Sequence, residues 1–133
     1  MIVVDTNIIC YLFISGEYSE QAEKLLKTDS DWHAPILWRS EIRNVLSQYL
    51  RKRILNMDDI LQIMQHADDL LKNNEYEVQS SSVMQLVNSS SCSAYDCEFV
   101  ALAQHLGVSL ITADKKVLRE FPDTAVSLVT HLG

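Results

Sequence analysis

An α/β fold with an open, mainly parallel β-sheet is predicted by three features of the sequence. Short runs such as IVV at residues 2–4 are β-branched and apolar throughout, which is typical of a strand buried on both faces. Such runs alternate with segments whose apolar residues recur at helical spacing. No repeat, low-complexity tract or shift in composition divides the chain. Strands that alternate with helices favour a parallel sheet, and we expect one domain over residues 1–133.

The first half of the chain is predicted to supply two strands and four helices. The strands cover residues 2–4 and 32–35. The helices cover residues 6–13, 18–27 and 37–53, and a fourth begins at Asp58 and runs to Leu71. Acidic residues such as Asp58 and Asp59 are favoured at a helix N-terminus by the helix dipole. The segment 37–53 carries a regular apolar stripe, made of Ile42, Val45, Leu46, Tyr49 and Leu50.

The second half is predicted to supply three strands and three helices. The strands cover residues 76–78, 108–112 and 125–129. Residues 80–91 are rich in serine, but Val83, Met84 and Val87 form a helical stripe, so we expect a helix there rather than a linker. A second helix covers 93–106 and is ended by Gly107. A third, short helix covers 114–120.

Composition and charge exclude several classes of protein. With 47% hydrophobic and 22% charged residues, the chain has the composition of an ordinary soluble globular protein. Its longest apolar run, residues 8–14, is too short to cross a bilayer. No basic and then apolar leader precedes it. We therefore expect a cytoplasmic protein without membrane contact. A net charge of -7 argues against a protein that coats nucleic acid in general.

The three cysteines predict a reducing environment. Cys10, Cys92 and Cys97 are odd in number, and they lack the C-x-x-C spacing of zinc or redox sites. Two of them fall in helical apolar patterns. We therefore expect buried free thiols in a reducing cytosol.

Two aspartates are predicted to lie on one edge of the sheet. Asp5 follows the first strand directly, and Asp114 follows the strand at 108–112 with one residue between. Ligands of parallel sheets bind beyond the carboxyl ends of the strands, so both carboxylates are placed where a ligand would bind. An aspartate between a strand and a helix is also a good N-cap, and that alternative remains open for each.

Two further acids stand near apolar helix stripes. Asp96 shares a helical phase with Phe99, Val100 and Ala103, so it is expected on the core side of its helix. Its alternative role is a capping box with Ser93. Glu41 stands in SEIRNVL, beside the apolar stripe of the helix at 37–53. Its alternative role is an ion pair with Arg39 or Arg43.

If these four acids converge, their chemistry points to a divalent cation. Two carboxylates about 4 Å apart repel by roughly 4 kcal/mol at an effective dielectric near 20, so a converging set protonates or binds a cation. Oxygen ligands favour Mg²⁺ or Mn²⁺ over zinc, and none of the four histidines is near the acids in sequence. A carboxylate-bound ion that keeps its waters suits phosphodiester hydrolysis. The residues thus predict metal-dependent phosphoryl chemistry.

Three stretches, IVVDTNI, SEIRNVL and SAYDCEFVALAQHLGVSLITADKKVL, resemble the PIN-domain ribonucleases, particularly the stand-alone toxins of toxin–antitoxin pairs. The likeness spans nearly the whole chain in the family's order. It implies a three-layer α/β/α sandwich with Mg²⁺- or Mn²⁺-dependent cleavage of RNA. It also implies a homodimer and inhibition by a small antitoxin protein. The acidic metal site that it implies consists of Asp5, Glu41, Asp96 and Asp114.

The same resemblance identifies supporting residues and one departure. Thr6 and Asn7 match polar positions after the first aspartate, and Thr112 matches the threonine of the strand-Thr-x-Asp motif, so we expect these three to orient the acids. Some members carry another acid at the position of Lys116, which puts a second metal ion in doubt. Lys115 and Lys116 are instead candidates for phosphate contacts. Further basic residues flank the motifs, with surface charge or ion pairing as the alternative: Arg39, Arg43 and Arg119.

Two readings compete with a ribonuclease. One is a catalytically silent PIN-like module that binds RNA or protein, although an intact acidic quartet argues against it. The other is a phosphate-accepting receiver domain, which would need an acidic pair after the first strand. Here Asp5 is followed by Thr6 and Asn7.

Overall fold

A five-stranded, all-parallel sheet lies at the centre of the protein in a computed structural model that describes residues 1–133. Its strands are β1 (Ile2–Val4), β2 (Trp32–Pro35), β3 (Glu75–Tyr76), β4 (Leu110–Ile111) and β5 (Ala125–Val126). Their order across the sheet is β3-β2-β1-β4-β5. The chain therefore adds strands to one side of β1 and then returns to add strands on its other side. The carboxyl end of β1 is the point of reversal, where ligands of open α/β sheets bind.

Eight helices surround the sheet. They are α1 (Thr6–Phe13), α2 (Ser19–Thr28), α3 (Trp38–Arg51), α4 (Met57–Leu71), α5 (Ser80–Asn88), α6 (Ala94–Leu106), α7 (Lys115–Glu120) and α8 (Leu128–Leu132). Helices α5 and α6 pack together, and α6 contacts β1, β2 and β4. A second group, formed by α1 to α4 with α8, packs among itself, and α4 contacts β2. The prediction of helices flanking a parallel sheet is thereby confirmed.

A single hydrophobic core holds the short strands and the helices together. A cluster of 27 buried residues joins the sheet to both groups of helices. Every residue of β1 is buried, as its uninterrupted β-branched sequence predicts. Helix α6 is buried at six positions, including Phe99 and Val100, because it lies directly on the sheet.

None of the eight helices has both the length and the apolar character that a membrane-spanning helix needs.

The last predicted strand is wrong beyond its second residue. Strand β5 ends at Val126, and residues 128–132 form α8 instead. Ser127 causes the switch, because its hydroxyl accepts a hydrogen bond from the Thr130 N–H at 3.1 Å and caps the helix. The strand predicted over 108–112 is also shorter. The Val108 N–H bonds the Ala103 carbonyl as part of the exit from α6, where Gly107 takes φ 68°.

Candidate functional site

The four acids singled out by the sequence line one cavity beside the carboxyl end of β1. The cavity has a volume of about 330 Å³. It is lined by Asp5, Thr6, Asn7, Cys10, Tyr11, Glu41, Val45, Asp96 and Asp114. Residues from three separate sequence motifs are therefore brought together, and we call this space the acidic cavity.

Asp5 is held by hydrogen bonds to both oxygens of its carboxylate. It caps α1, where its Oδ1 accepts from the Thr6 N–H at 2.7 Å. Its Oδ2 accepts from the Thr112 hydroxyl, also at 2.7 Å. The capping role considered from the sequence is thus real, and it coexists with a place in the acidic cavity. The cap fixes the direction of the carboxylate.

Thr112 joins the two aspartates that follow neighbouring strands. Its side chain is fully buried; the hydroxyl donates to Asp5 and accepts from the Asp114 N–H at 3.0 Å. Asp114 caps α7, since its Oδ1 accepts from the Lys116 and Val117 N–H groups at 2.8 and 3.1 Å. Its Oδ2 is left without a protein donor. One oxygen of Asp114 is therefore structural and the other is available to a ligand.

Glu41 is oriented by Thr6 rather than by an arginine. The Thr6 hydroxyl donates to Glu41 Oε1 at 2.7 Å, which ties α1 to α3. Arg39 contacts Glu75 through Nε and Nη2 at 2.6 and 2.8 Å, and Asp68 through Nη1 at 2.8 Å. The alternative pairing of Glu41 with Arg39 is therefore wrong. Arg39 is also removed from the set of free cations that could contact phosphate.

Asp96 lies in the first turn of α6, where Ser93 caps the helix. The Ser93 Oγ accepts from the Asp96 N–H at 3.1 Å. Burial and then the Asp114 charge raise the pKa of the Asp96 carboxyl, and they outweigh the opposing effects of Ser93 and Lys116. Only the Ser93 half of the expected capping box is therefore formed, and the Asp96 side chain lines the acidic cavity.

The remaining predicted residues lie around the rim. The Asn7 Oδ1 accepts from the Ala113 N–H at 3.4 Å, so Asn7 joins α1 to the segment after β4 and does not bond an acid directly. Lys115 and Lys116 are exposed, and neither forms an ion pair with the four acids. Both lysines remain free to meet an anionic ligand.

The electrostatics of the cavity disfavour bare carboxylates at Asp5 and Glu41. Burial raises the pKa of Asp5 to about 6, although the bonds from Thr112 and Thr6 oppose the rise, and the charges of Glu41 and Asp96 add to it. Burial also raises the pKa of Glu41, with contributions from the Asp96 and Glu98 charges. The Cys10 thiol has its pKa raised to about 11, first by burial and then by Asp5 and Glu41. A cation would relieve each of these effects.

No side chain of the protein supplies that cation. All of the ion pairs lie elsewhere, at Asp29, Asp31, Asp68 and Glu75. As the side chains stand, no three His, Cys, Asp or Glu residues are close enough to coordinate one ion. Mg²⁺ typically keeps several waters and uses only one or two carboxylates directly. An all-oxygen set with free Asp114 Oδ2 therefore fits a hydrated hard cation better than a closed protein cage.

Sequence reasoning missed three residues of the cavity wall. Cys10 and Tyr11 lie one helical turn after Thr6 and Asn7 on α1. Val45 likewise lies one turn after Glu41 on α3. Residues four apart share a helix face, so this spacing was a signal that could have found them.

Comparisons with known proteins identify the family of the chain. A family model described as the PIN domain matches residues 2–124. Ribonuclease VapC3 of Pyrobaculum aerophilum is 28% identical over 124 residues, covering 91% of this chain and 95% of the relative. Among solved structures, PAE2754 from Pyrobaculum aerophilum has a TM-score of 0.72 at 20% identity, covering 98% of this chain and 92% of that chain.

Two further solved structures share the fold at low sequence identity. FitAcB from Neisseria gonorrhoeae has a TM-score of 0.74 at 18% identity and covers 96% of each chain. A toxin–antitoxin complex from Klebsiella pneumoniae has a TM-score of 0.71 at 20% identity, covering 96% of this chain and 98% of that chain. The family match spans nearly all of the sequence and includes every acid of the cavity. The chain belongs to the PIN-domain family.

Proposed function

We propose that the protein is a divalent-metal-dependent endoribonuclease and the toxin of a toxin–antitoxin pair. The observation that carries the proposal is the convergence of four acids on one cavity, where none of them forms an ion pair: Asp5, Glu41, Asp96 and Asp114. The similarity to a relative named as a ribonuclease supports the reaction. The similarity of fold to a toxin–antitoxin complex supports the biological role.

The proposed cofactor is Mg²⁺ or Mn²⁺, held by the four acids. Carboxylate oxygens are the ligands that these hard cations prefer, and no histidine lines the cavity. When bound, the ion supplies Lewis-acid activation of water and neutralises charge on the phosphodiester. Lys116 occupies the position at which some PIN-domain proteins carry a further acid, so we propose no second ion.

The polar residues of the cavity hold the acids in position. Thr112 and Thr6 each donate to one carboxylate oxygen, so Asp5 and Glu41 keep their orientation without a ligand. Asp114 is fixed through its Oδ1 while its Oδ2 stays free. Preorganisation of this kind lowers the cost of binding a charged substrate. Lys115 and Lys116 would contact the phosphates of the RNA from the rim.

The proposal also includes partners and location. A small antitoxin protein would inhibit the enzyme, the protein would act as a homodimer, and it would work in the cytoplasm. The three cysteines are free thiols, as a reducing compartment requires.

RNA cleavage with and without EDTA tests the proposed reaction. We expect wild-type protein to cleave single-stranded RNA in Mg²⁺ or Mn²⁺, with loss of cleavage in EDTA and in Asp96→Asn. Asp123→Asn is the matched control, because Asp123 is exposed and lies outside the cavity. Cleavage that survives EDTA would overturn metal dependence. If no RNA is cleaved under any condition, the silent binding module would replace the ribonuclease.

A further inference from the structure

A second cavity opens beside the acidic cavity. It has a volume of about 470 Å³ and is lined by Ile36, Leu37, Arg39, Ser40, Arg43 and Glu98. We call it the flanking cavity. Helix α3 supplies Glu41 to the acidic cavity and Ser40 to the flanking cavity, and α6 supplies Asp96 to the first and Glu98 to the second. The two cavities therefore border the same two helices.

The flanking cavity holds two charged groups without partners. Glu98 is half-buried, and its carboxylate accepts no hydrogen bond and joins no ion pair. Arg43 is exposed and is likewise absent from the ion pairs. Arg39, the third charged residue of this cavity, is already paired, because it forms ion pairs with Glu75 and Asp68. A partly desolvated carboxylate without a donor gains most from a ligand that brings one.

Carboxylate chemistry selects among the four RNA bases. An ionised carboxylate only accepts hydrogen bonds, and it can accept two from adjacent donors. The Watson–Crick edge of guanine presents two adjacent donors, N1–H and N2–H. Adenine and cytosine present one amino group beside a ring acceptor, and uracil presents one N–H between two carbonyls. Single-stranded RNA exposes these edges, so the Glu98 carboxylate matches guanine best.

The other residues of the flanking cavity suit the rest of a nucleotide. Ile36 is 49% exposed and, with Leu37, gives an apolar surface on which a base can lie. The Arg43 guanidinium forms no ion pair in the protein and can bind a phosphate group. The apolar surface therefore suits the face of a base, Glu98 suits its hydrogen-bonding edge, and Arg43 suits the phosphate.

We propose that the flanking cavity is a guanine-selective nucleotide subsite, in which Glu98 accepts hydrogen bonds from guanine N1–H and N2–H and Arg43 binds the phosphate. Its position next to the cleaved bond rests on the proposed ribonuclease function. Binding of a guanine nucleotide does not depend on cleavage, so the two proposals can fail separately.

Nucleotide binding followed by NMR tests the subsite without any reaction. Guanosine 5′-monophosphate and uridine 5′-monophosphate are titrated into ¹⁵N-labelled wild type, Glu98→Gln and the surface control Glu23→Gln. We expect the guanine nucleotide to shift amide signals of residues 36–43 and 97–99, with at least tenfold weaker binding of the uridine nucleotide. Glu98→Gln should remove the difference, and Glu23→Gln should keep it. Equal binding of both nucleotides to wild type would overturn the proposal, whatever the variants do.

Cleavage of matched oligoribonucleotides separates this inference from the proposed function. The substrates differ only in one base, G, A, C or U, beside the cleaved bond, and the ratio of kcat/KM for G over U is the measured quantity. A ratio of ten or more in wild type that falls towards one in Glu98→Gln supports the subsite. Efficient cleavage with a ratio near one would overturn the subsite and leave the ribonuclease standing. Selective binding of the guanine nucleotide by a protein that cleaves no RNA would support the subsite and overturn the proposed ribonuclease function.

Discussion

The Thr112 hydroxyl donates a 2.7 Å hydrogen bond to the Asp5 carboxylate, across 107 residues of sequence. The same hydroxyl accepts a hydrogen bond from the Asp114 N–H, so one buried side chain sets the positions of two acids that follow neighbouring strands. Strands β1 and β4 are adjacent only because the chain returns to the far side of β1. The order of the strands therefore creates the acidic cavity.

Thr112→Val should damage both stability and metal affinity. Valine matches threonine in shape but leaves a buried oxygen of Asp5 and the Asp114 N–H without partners, at a cost of about 1–3 kcal/mol. Urea unfolding and calorimetric Mn²⁺ titration measure the two effects. Thr112→Ser keeps the hydroxyl and should retain most of the metal affinity. Full affinity in Thr112→Val would show that this hydrogen bond does not position the acids.

The charge on Asp5 should destabilise the metal-free protein at neutral pH. Its pKa rises from 3.8 unfolded to about 6 folded, so the folded state holds the proton more tightly than the unfolded state. Its contribution favours the fold below pH 4 and is lost as the pH rises through about 6. The loss amounts to roughly 3 kcal/mol. Asn at this position still caps α1, so Asp5→Asn should be more stable than metal-free wild type at pH 8.

The comparison between Asp5→Asn and wild type is needed because other acids act in the opposite direction. The N-terminal ammonium group lowers the pKa of Asp29, and Arg39 lowers that of Glu75. The stability that these two carboxylates give to the fold is therefore lost at acid pH. The free energy of unfolding is measured from pH 4 to 8 for both proteins in EDTA. We expect the advantage of Asp5→Asn to grow with pH. An advantage that is constant or that shrinks would contradict the assigned pKa. Mg²⁺ should stabilise wild type alone.

Two arginines on one helix should differ sharply in their effect on stability. Arg39 forms three charged hydrogen bonds to Glu75 and Asp68 and lies 5.3 Å from the Trp38 ring centroid, joining α3, α4 and β3. Arg39→Gln should lower the free energy of unfolding by about 1–3 kcal/mol. Arg43→Gln should change it by no more than about 0.5 kcal/mol, since Arg43 is exposed and unpaired. Equal losses in the two variants, measured by urea unfolding, would contradict this division of roles.

The Cys10 thiol should report on the charge of the acidic cavity. Burial and the nearby Asp5 and Glu41 raise its pKa to about 11, so alkylation by iodoacetamide at pH 8 should be slower than for a free thiol. Asp5→Asn removes one negative charge and should speed the reaction several-fold. Mass spectrometry assigns the rate to Cys10 rather than to the buried Cys92 and Cys97. An unchanged rate would mean that Asp5 carries no charge at pH 8 or does not act on the thiol.

The sequence predicted the fold and the four acids that line one cavity, because local patterns mark the strands and the positions of these acids. An uninterrupted β-branched run such as Ile2–Val4 marks a buried strand; Asp5 directly follows it, and Asp114 comes shortly after β4. The helix α8 was missed because Leu128 and Val129 continue the apolar character of β5. Only the Ser127 cap distinguishes the helix, through a bond to Thr130.

Partnerships between distant residues could not be predicted in the same way. Arg39 and Arg43 are equally close to Glu41 in sequence, each two residues away. Arg39 nevertheless binds Glu75 and Asp68, which fold against it from β3 and α4. The choice depends on the three-dimensional approach of these elements. The flanking cavity likewise combines α3 and α6, whose adjacency no local pattern encodes.

Calorimetric titration with Mn²⁺ at pH 7.5 tests most directly whether the four acids form one metal site. Wild type, Asp96→Asn and Asp123→Asn are compared at the same ionic strength. We expect binding in wild type and in Asp123→Asn, and affinity at least tenfold weaker in Asp96→Asn. Equal Mn²⁺ affinity in wild type and Asp96→Asn would contradict the site and leave Asp96 as part of the cap of α6.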